Sequence, residues 1–377
     1  MQEYKVVIEK YFDHPIAKKS MLNIGRCYEM LGDIEKAKQS YINYVNKYPQ
    51  EPYADDTYVI IGDLFRKQKE YKKAIKFYDF IIKEYPERDT VRLAYMRMGY
   101  TYIELNDYSS ALQTFLDMKK KYSIKRHQPD IILVDQPDPS ERRSLAGNVI
   151  LAGDKVDMFD ELFYELEYQI GNCYYLIGEY DEAIKILNGF VFYEQDNDML
   201  DDAYYKLADC FFKTKDFLTA FQLYKNALTE LPDSNLSSHG YLYSGKSLRQ
   251  MKMLDNAMEI LKQGLSKHPD SVYAESIKFE IGLCYLEDEN FKRSFEVFEE
   301  IADNEKSTDM TAGANVYAGI CLDREKKHKK ALEYYQKALN ENITEKQRNW
   351  IFKLIGDSYG KLGALAKAIK AYQKDIP

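Results

Sequence analysis

Ser20–Pro49, SMLNIGRCYEMLGDIEKAKQSYINYVNKYP, reads as two short amphipathic helices joined by a tight turn. Its skeleton is Gly25, Tyr28, Gly32, Ala37, Tyr41 and Pro49. Thirty-seven residues on, Gly62, Phe65, Ala74, Tyr78 and Pro86 repeat that skeleton, and Gly99, Tyr102, Ala111 and Phe115 repeat it again. It resumes at Gly171 and returns at Ala208, Gly245, Gly282, Gly319 and Gly356, each 37 residues apart. A fixed period of this size marks a solenoid, because one hairpin cannot bury its apolar face alone. The fold class expected is therefore all-α, with about nine 37-residue helix-turn-helix repeats and one non-repeat insertion.

Each recurring position has a physical reason. At the glycine the two helices of a hairpin are expected to approach closely, with Ala208 the one substitute. The recurring alanine (Ala37, Ala74, Ala111, Ala183, Ala220, Ala257, Ala331 and Ala368, with Ser294 in the seventh copy) does the same from the second helix. The aromatics are expected to fill the seam between neighbouring hairpins, and the proline stops the second helix.

These residues resemble the tetratricopeptide repeat, over nearly the whole chain apart from about 124–160. The resemblance implies a right-handed superhelical solenoid that binds proteins and is not an enzyme. Late in the second helix the family's usual small residue is kept as Ala227, Gly264 and Ala338, but Tyr44, Ile81, Met118, Phe190 and Ile301 are bulky. With linkers such as YPQEPYADD (48–56), the chain is most similar to bacterial cell-envelope members of the outer-membrane assembly and Tol-associated type. That similarity implies the periplasm or an envelope-associated site, with the cytoplasm as the alternative.

The chain is expected to divide into an N-terminal array (1–123, a half repeat plus three), an insertion (124–160) and a C-terminal array of six repeats (161–377). Residues 1–15 read as a second helix without its first, and the ninth copy stops at Pro377. Neither end shows a polar cap, which leaves room for end-to-end self-association as an assembly subunit. In the insertion, DIILVD (130–135) and NVILAGD (148–154) flank a turn-rich segment, so a β-hairpin is expected.

A net charge of −8 argues against nucleic acid, since phosphate binding needs a basic face. The run Lys326-Lys327-His328-Lys329-Lys330 falls in a turn and reads as solvated. No apolar run is long enough to span a membrane, and MQEYKVVIEK is no signal peptide. Cys27, Cys173, Cys210, Cys284 and Cys321 all stand two residues after the recurring position. Copies of one slot on stacked helices sit about 8–10 Å apart, too far for a disulfide. They read as small buried hydrophobes.

GYLYSGKS (240–247) matches the phosphate-loop pattern letter for letter, which raises a nucleotide-responsive switch working through Lys246. Yet Gly245 is the repeat's own glycine, so the segment should be mid-helix with its N–H groups committed. The five histidines lack zinc spacing and no serine has a nucleophile-elbow context, so neither metal nor other cofactor is expected.

The expected function is a non-catalytic scaffold that holds a peptide or helix of a partner in its concave groove. The groove slots should be three and two residues before the glycine and one and four after it. They hold Tyr100, Tyr168, Asn172, Tyr175, Tyr205, Lys206, Asp209, Phe212, Tyr243, Lys246, Arg249, Phe279 and Tyr317. Aromatics and arginine dominate binding energy at such surfaces. A clamp for chaperone tails is disfavoured: Tyr168 stands where a lysine belongs beside Asn172, and His239 and Tyr243 stand where basic residues belong.

Overall fold

The computed structural model describes residues 2–11, 14–122, 158–193, 199–304 and 310–373, with side chains in the second stretch's successor beginning at 162 and ending at 191. All the described secondary structure is α-helical. The β-hairpin expected within 124–160 lies outside the described residues, apart from 158–160, which open a helix.

The chain forms two compact units, Met1–Glu194 and Gln195–Pro377. The first contains α1 (Gln2–Lys10), α2 (Pro15–Met30), α3 (Ile34–Lys47), α4 (Ala54–Lys67), α5 (Tyr71–Glu84), α6 (Thr90–Glu104), α7 (Tyr108–Lys121), α8 (Met158–Ile177) and α9 (Tyr180–Tyr193). Helix α8 packs on α7 and α9, so the fourth hairpin joins the third in one unit.

The second unit contains α10 (Leu200–Lys213), α11 (Phe217–Glu230), α12 (Ser237–Gln250), α13 (Leu254–Lys267), α14 (Ala274–Glu287), α15 (Phe291–Ala302), α16 (Thr311–Arg324), α17 (His328–Leu339), α18 (Glu345–Lys361) and α19 (Leu365–Tyr372). Consecutive helices pack against each other through each unit.

The 37-residue period has a backbone signature. A left-handed residue closes each hairpin turn, at Gly32, Lys69, Asn106, Gly178, Lys215, Lys252, Glu289, Lys326 and Gly363. A residue with a Cβ in that region costs about 1–2 kcal/mol, so six copies carry strain that glycine avoids in three. Each turn is closed by backbone bonds, as where Gly32 N donates to Glu29 O at 3.0 Å and Asp33 N to Tyr28 O at 2.9 Å.

The recurring glycine does a different job from the one expected. What lies over it is a side chain, the ring or leucine sixteen residues on in the same hairpin. A Cβ at Gly25 would stand 2.5 Å from the Tyr41 ring, and one at Gly245 would stand 2.3 Å from Leu261. The second-helix aromatic is thus seated inside its own hairpin rather than in the seam between hairpins expected from the sequence.

The seat explains a covariation within the chain. Where the seated residue is tyrosine, its hydroxyl donates to a carboxylate one or four residues after the recurring position. The pairs are Tyr41–Glu29 (3.1 Å), Tyr78–Asp63 (2.6 Å), Tyr224–Asp209, Tyr335–Asp323 (3.1 Å) and Tyr372–Asp357 (2.8 Å). Where it is Phe115, Leu187, Leu261 or Phe298, neither position is acidic. A buried hydroxyl without an acceptor is costly, so ring and acid occur together.

The bulky residues late in the second helix, Tyr44, Ile81, Met118, Phe190 and Ile301, are all buried. Cys173, Cys210, Cys284 and Cys321 are buried free thiols, while Cys27 is half-buried. Burial pushes Cys173, Cys210 and Cys284 up to about 12, and Cys321 to about 11.

Candidate functional site

The first helix of each hairpin offers the slots from which a partner site could be built, and their burial decides which ones can. The slot three residues before the recurring position is core: Leu22, Val59, Met96, Tyr168, Tyr205, Leu242 and Val316 are all buried. Tyr205, 2 % exposed, packs toward the following hairpin, where a Cβ on Gly240 would stand 2.7 Å from its ring. Tyr168 packs on Phe190 with ring centroids 5.7 Å apart. Both are buried and so leave the groove surface expected for them, Tyr205 because its slot turns toward the following hairpin. Phe279, in the same slot, is only half-buried, since glycine at 313 leaves room beside its ring.

Asp209 is also buried, and its carboxylate is engaged from two sides. It accepts from the Tyr224 hydroxyl and lies 2.8 Å from His239 Nε2. Its role is to hold the ring seat of the fifth copy rather than to face a ligand.

Half-exposed residues remain in the other slots. In the first unit, Tyr100 donates to Glu165, Tyr175 lies 6.2 Å from the Tyr180 ring, and Asn172 Nδ2 donates to Gln169 at 3.5 Å. In the second unit, Phe212 meets Tyr243 edge-on at 5.2 Å, and Tyr243 lies over His239 at 4.3 Å. Lys246 Nζ stands 4.7 Å from the Tyr243 ring centre. On later helices Phe279 meets Tyr317 at 5.5 Å, and Tyr317 meets the exposed Trp350 at 6.1 Å. A cleft of about 580 Å³ opens beside Phe279, lined also by Met310, Gly313, Glu341, Ile343 and Gln347.

Between the two aromatic groups runs an ionic bridge. Glu280, 7 % exposed, accepts from Arg249 Nε at 2.8 Å and lies 3.9 Å from Lys246 Nζ. Arg249 Nη1 also donates to Glu287 at 2.6 Å, and Lys252 completes the set at 2.9 Å from Glu287. Burial pulls Lys246 below the usual lysine range, and the Glu280 charge opposes that pull. Lys206 is paired with Asp202 on its own helix. The cations of this face are therefore held in place by the protein's own acids.

Sequence reasoning missed Glu280, His239 and Trp350 as members of this face. Glu280 occupies the slot two before Gly282, so the slot rule could have found it; a search confined to aromatics and cations passed over it. The Gly240–Ser247 segment lies wholly inside α12, and Ser247 Oγ donates to Tyr243 O at 2.8 Å. Its N–H groups cannot form a phosphate loop, which removes the basis for a nucleotide switch.

The tetratricopeptide repeat profile matches residues 19–51, 56–88, 93–123, 165–191, 202–234 and 240–271, together half of the chain. The apo form of RapI is 12 % identical, with 95 % of this chain and 96 % of that one covered and a TM-score of 0.56, a likeness of fold alone. MamA from Desulfovibrio magneticus RS-1 is 19 % identical over 47 % of this chain and 93 % of its own, with a TM-score of 0.40. BtubC from P. vanneervenii is 18 % identical over 53 % and 87 %, with a TM-score of 0.44. No curated protein matches the chain. None of these findings supports the envelope subgroup.

Proposed function

This chain belongs to the tetratricopeptide repeat family, and we propose that it is a non-catalytic scaffold whose first-helix face in the second unit binds a segment of a protein partner. The observation that carries the reading is the half-exposed pair Phe212 and Tyr243 with Lys246 over the second ring. Rigid rings with fixed cations beside them lose little conformational entropy on binding, and such residues are where interface energy concentrates. The Arg249–Glu280–Glu287 bridge keeps that face in one arrangement before any partner arrives. An extended peptide or one helix would run along Phe212, Tyr243, Lys246 and Tyr317.

The test places a photo-crosslinking side chain at position 212 or 243, with position 259 on α13 as the control. Expressed in the source cell, the first two should trap one partner segment that the control does not, as read by mass spectrometry. A synthetic peptide of that segment should then lose about 2 kcal/mol or more of affinity on Phe212→Ala. Equal trapping from all three positions removes the reading. An envelope setting is a further part of the proposal, resting on the bulky late positions and the 48–56 linker; cell fractionation decides it.

A further inference from the structure

The charges around Phe212 and Tyr243 are unequally satisfied. Arg249 is fully engaged, through Nε with Glu280 at 2.8 Å and through Nη1 with Glu287 at 2.6 Å. Lys252 holds the other oxygen of Glu287, Lys206 is paired with Asp202, and Asp209 is taken by Tyr224 and His239. Two cations beside the rings are left short of an acid. Lys246 Nζ has only Glu280, at 3.9 Å, and that carboxylate is already held by Arg249. Lys213 is exposed, and among the described residues no carboxylate lies within ion-pair reach of it. Burial is the main pull on Lys246 toward its neutral form; Glu280 opposes it, and the charges of Arg249 and Lys213 add to it. A further negative charge at this point would offset that cost.

The two cations stand where the half-open rings are. Lys246 Nζ is 4.7 Å from the centre of the Tyr243 ring, and Phe212 meets that ring edge-on at 5.2 Å. Lys213 follows Phe212 in the chain, and its charge reaches Lys246. A segment that covers the rings therefore brings its neighbouring side chains to both ammonium groups. The fork of Arg249 is occupied, so paired recognition of a phosphate is not on offer here. What remains is a pair of compact point charges, suited to a single carboxylate.

We propose that the partner segment bound on this face is acidic, with an aspartate or glutamate carboxylate seated between Lys246 and Lys213, within about two residues of the apolar side chain that covers Phe212 and Tyr243. The proposal rests on the reading of this face as a partner site and adds its charge preference. The rings supply affinity through area removed from water, and the lysines choose among partners by charge. A segment with lysine or arginine at that place would meet Lys213 and Lys246 as like charges and be rejected. Because both ammonium groups keep contact with solvent, the preference should weaken as salt rises.

The probe is a phage-displayed library of short random peptides, selected on the full chain at about 0.05 M salt, where charge acts over more than about 10 Å. Peptides that bind the wild-type chain and not Phe212→Ala report this face. Among them, an acid close to an aromatic or aliphatic residue should be enriched at least about threefold over the library. On the variant Lys213→Glu with Lys246→Glu, the same selection should enrich lysine or arginine at that place. Lys246→Met keeps the apolar stem and removes the charge, so it decides the matter if the double reversal loses helicity. A selected peptide should bind Lys246→Met about tenfold more weakly, and replacing the peptide's acid by its amide should then weaken binding no further. Absence of any Phe212-dependent peptide would remove the face itself, and this proposal with it. Phe212-dependent peptides with no acid preference, or with one that survives charge reversal, would overturn the charge preference and leave the face standing. So would acid and Lys246 effects that simply add.

Discussion

Tyr205 and Tyr243 stand on consecutive first helices of one unit, in adjacent slots of the repeat, and do different work. Tyr205, three residues before its recurring position, is closed in by the next hairpin; Tyr243, two before, lies half-open beside Phe212. One residue of register turns a helix by about 100°, enough to move a ring from core to face. Periodicity therefore locates slots well, and it locates the boundary between buried and exposed slots only to within one residue. Errors of that size decide which side chains can meet a partner.

The contrast can be sharpened with the thiols, since one slot gives four buried copies and the half-buried Cys27. Burial lifts the four folded-state values to about 11 or 12, above the unfolded thiol's. Stability from this source is complete below the unfolded value of about 8.5 and is lost as pH rises toward the folded value. Each buried thiol should cost up to about 1.4 kcal/mol per pH unit in that window, so the four together should make stability fall by about 5 kcal/mol per unit. Denaturant melts between pH 8 and 11 check this, and a flat profile would mean that water reaches the slot. In native protein Cys27 should react with a thiol reagent before the other four.

A smaller effect tests the ring seats. Phe298→Tyr introduces a hydroxyl where Leu283 and Leu286 offer no acceptor, and should cost about 1–3 kcal/mol. Adding Leu283→Asp should recover part of that loss by rebuilding the arrangement of Tyr78 and Asp63. If Phe298→Tyr is neutral, the pairing of tyrosine with acid reflects something other than hydroxyl satisfaction.

The smallest effect has the opposite sign. Lys252 closes its turn with φ +63°, a conformation glycine adopts without a Cβ clash. Lys252→Gly should stabilise by about 0.5–1 kcal/mol after the loss of chain entropy is counted. Destabilisation would show that the Lys252–Glu287 pair matters more than the turn.

The helices, their turns and their order were legible because each copy restates the same small, aromatic and apolar positions. The ring seat was not, since spacing alone cannot tell whether Tyr41 covers Gly25 or the next hairpin; the side chain's direction decides that. Phe212, Tyr243, Lys246 and Arg249 are half-buried in the slots the sequence suggests, although Asp209 and Glu280, which share the slots of Lys246 and Tyr243, are buried. Glu280 was not singled out, because an acid beside cations reads as ordinary surface until the structure shows it buried between them. The Asp209–His239 contact was hidden by a 30-residue separation.

The most direct test of the division between core and face is denaturant unfolding of Tyr205→Ala and Phe212→Ala in parallel. Tyr205→Ala should lose about 3–5 kcal/mol, as for a large buried ring. Phe212→Ala should lose about 1 kcal/mol or less, because its side chain already meets solvent. Equal large losses would make Phe212 a core residue and leave the proposed face without its first ring. A small loss at Tyr205 would contradict the burial on which the slot assignment rests.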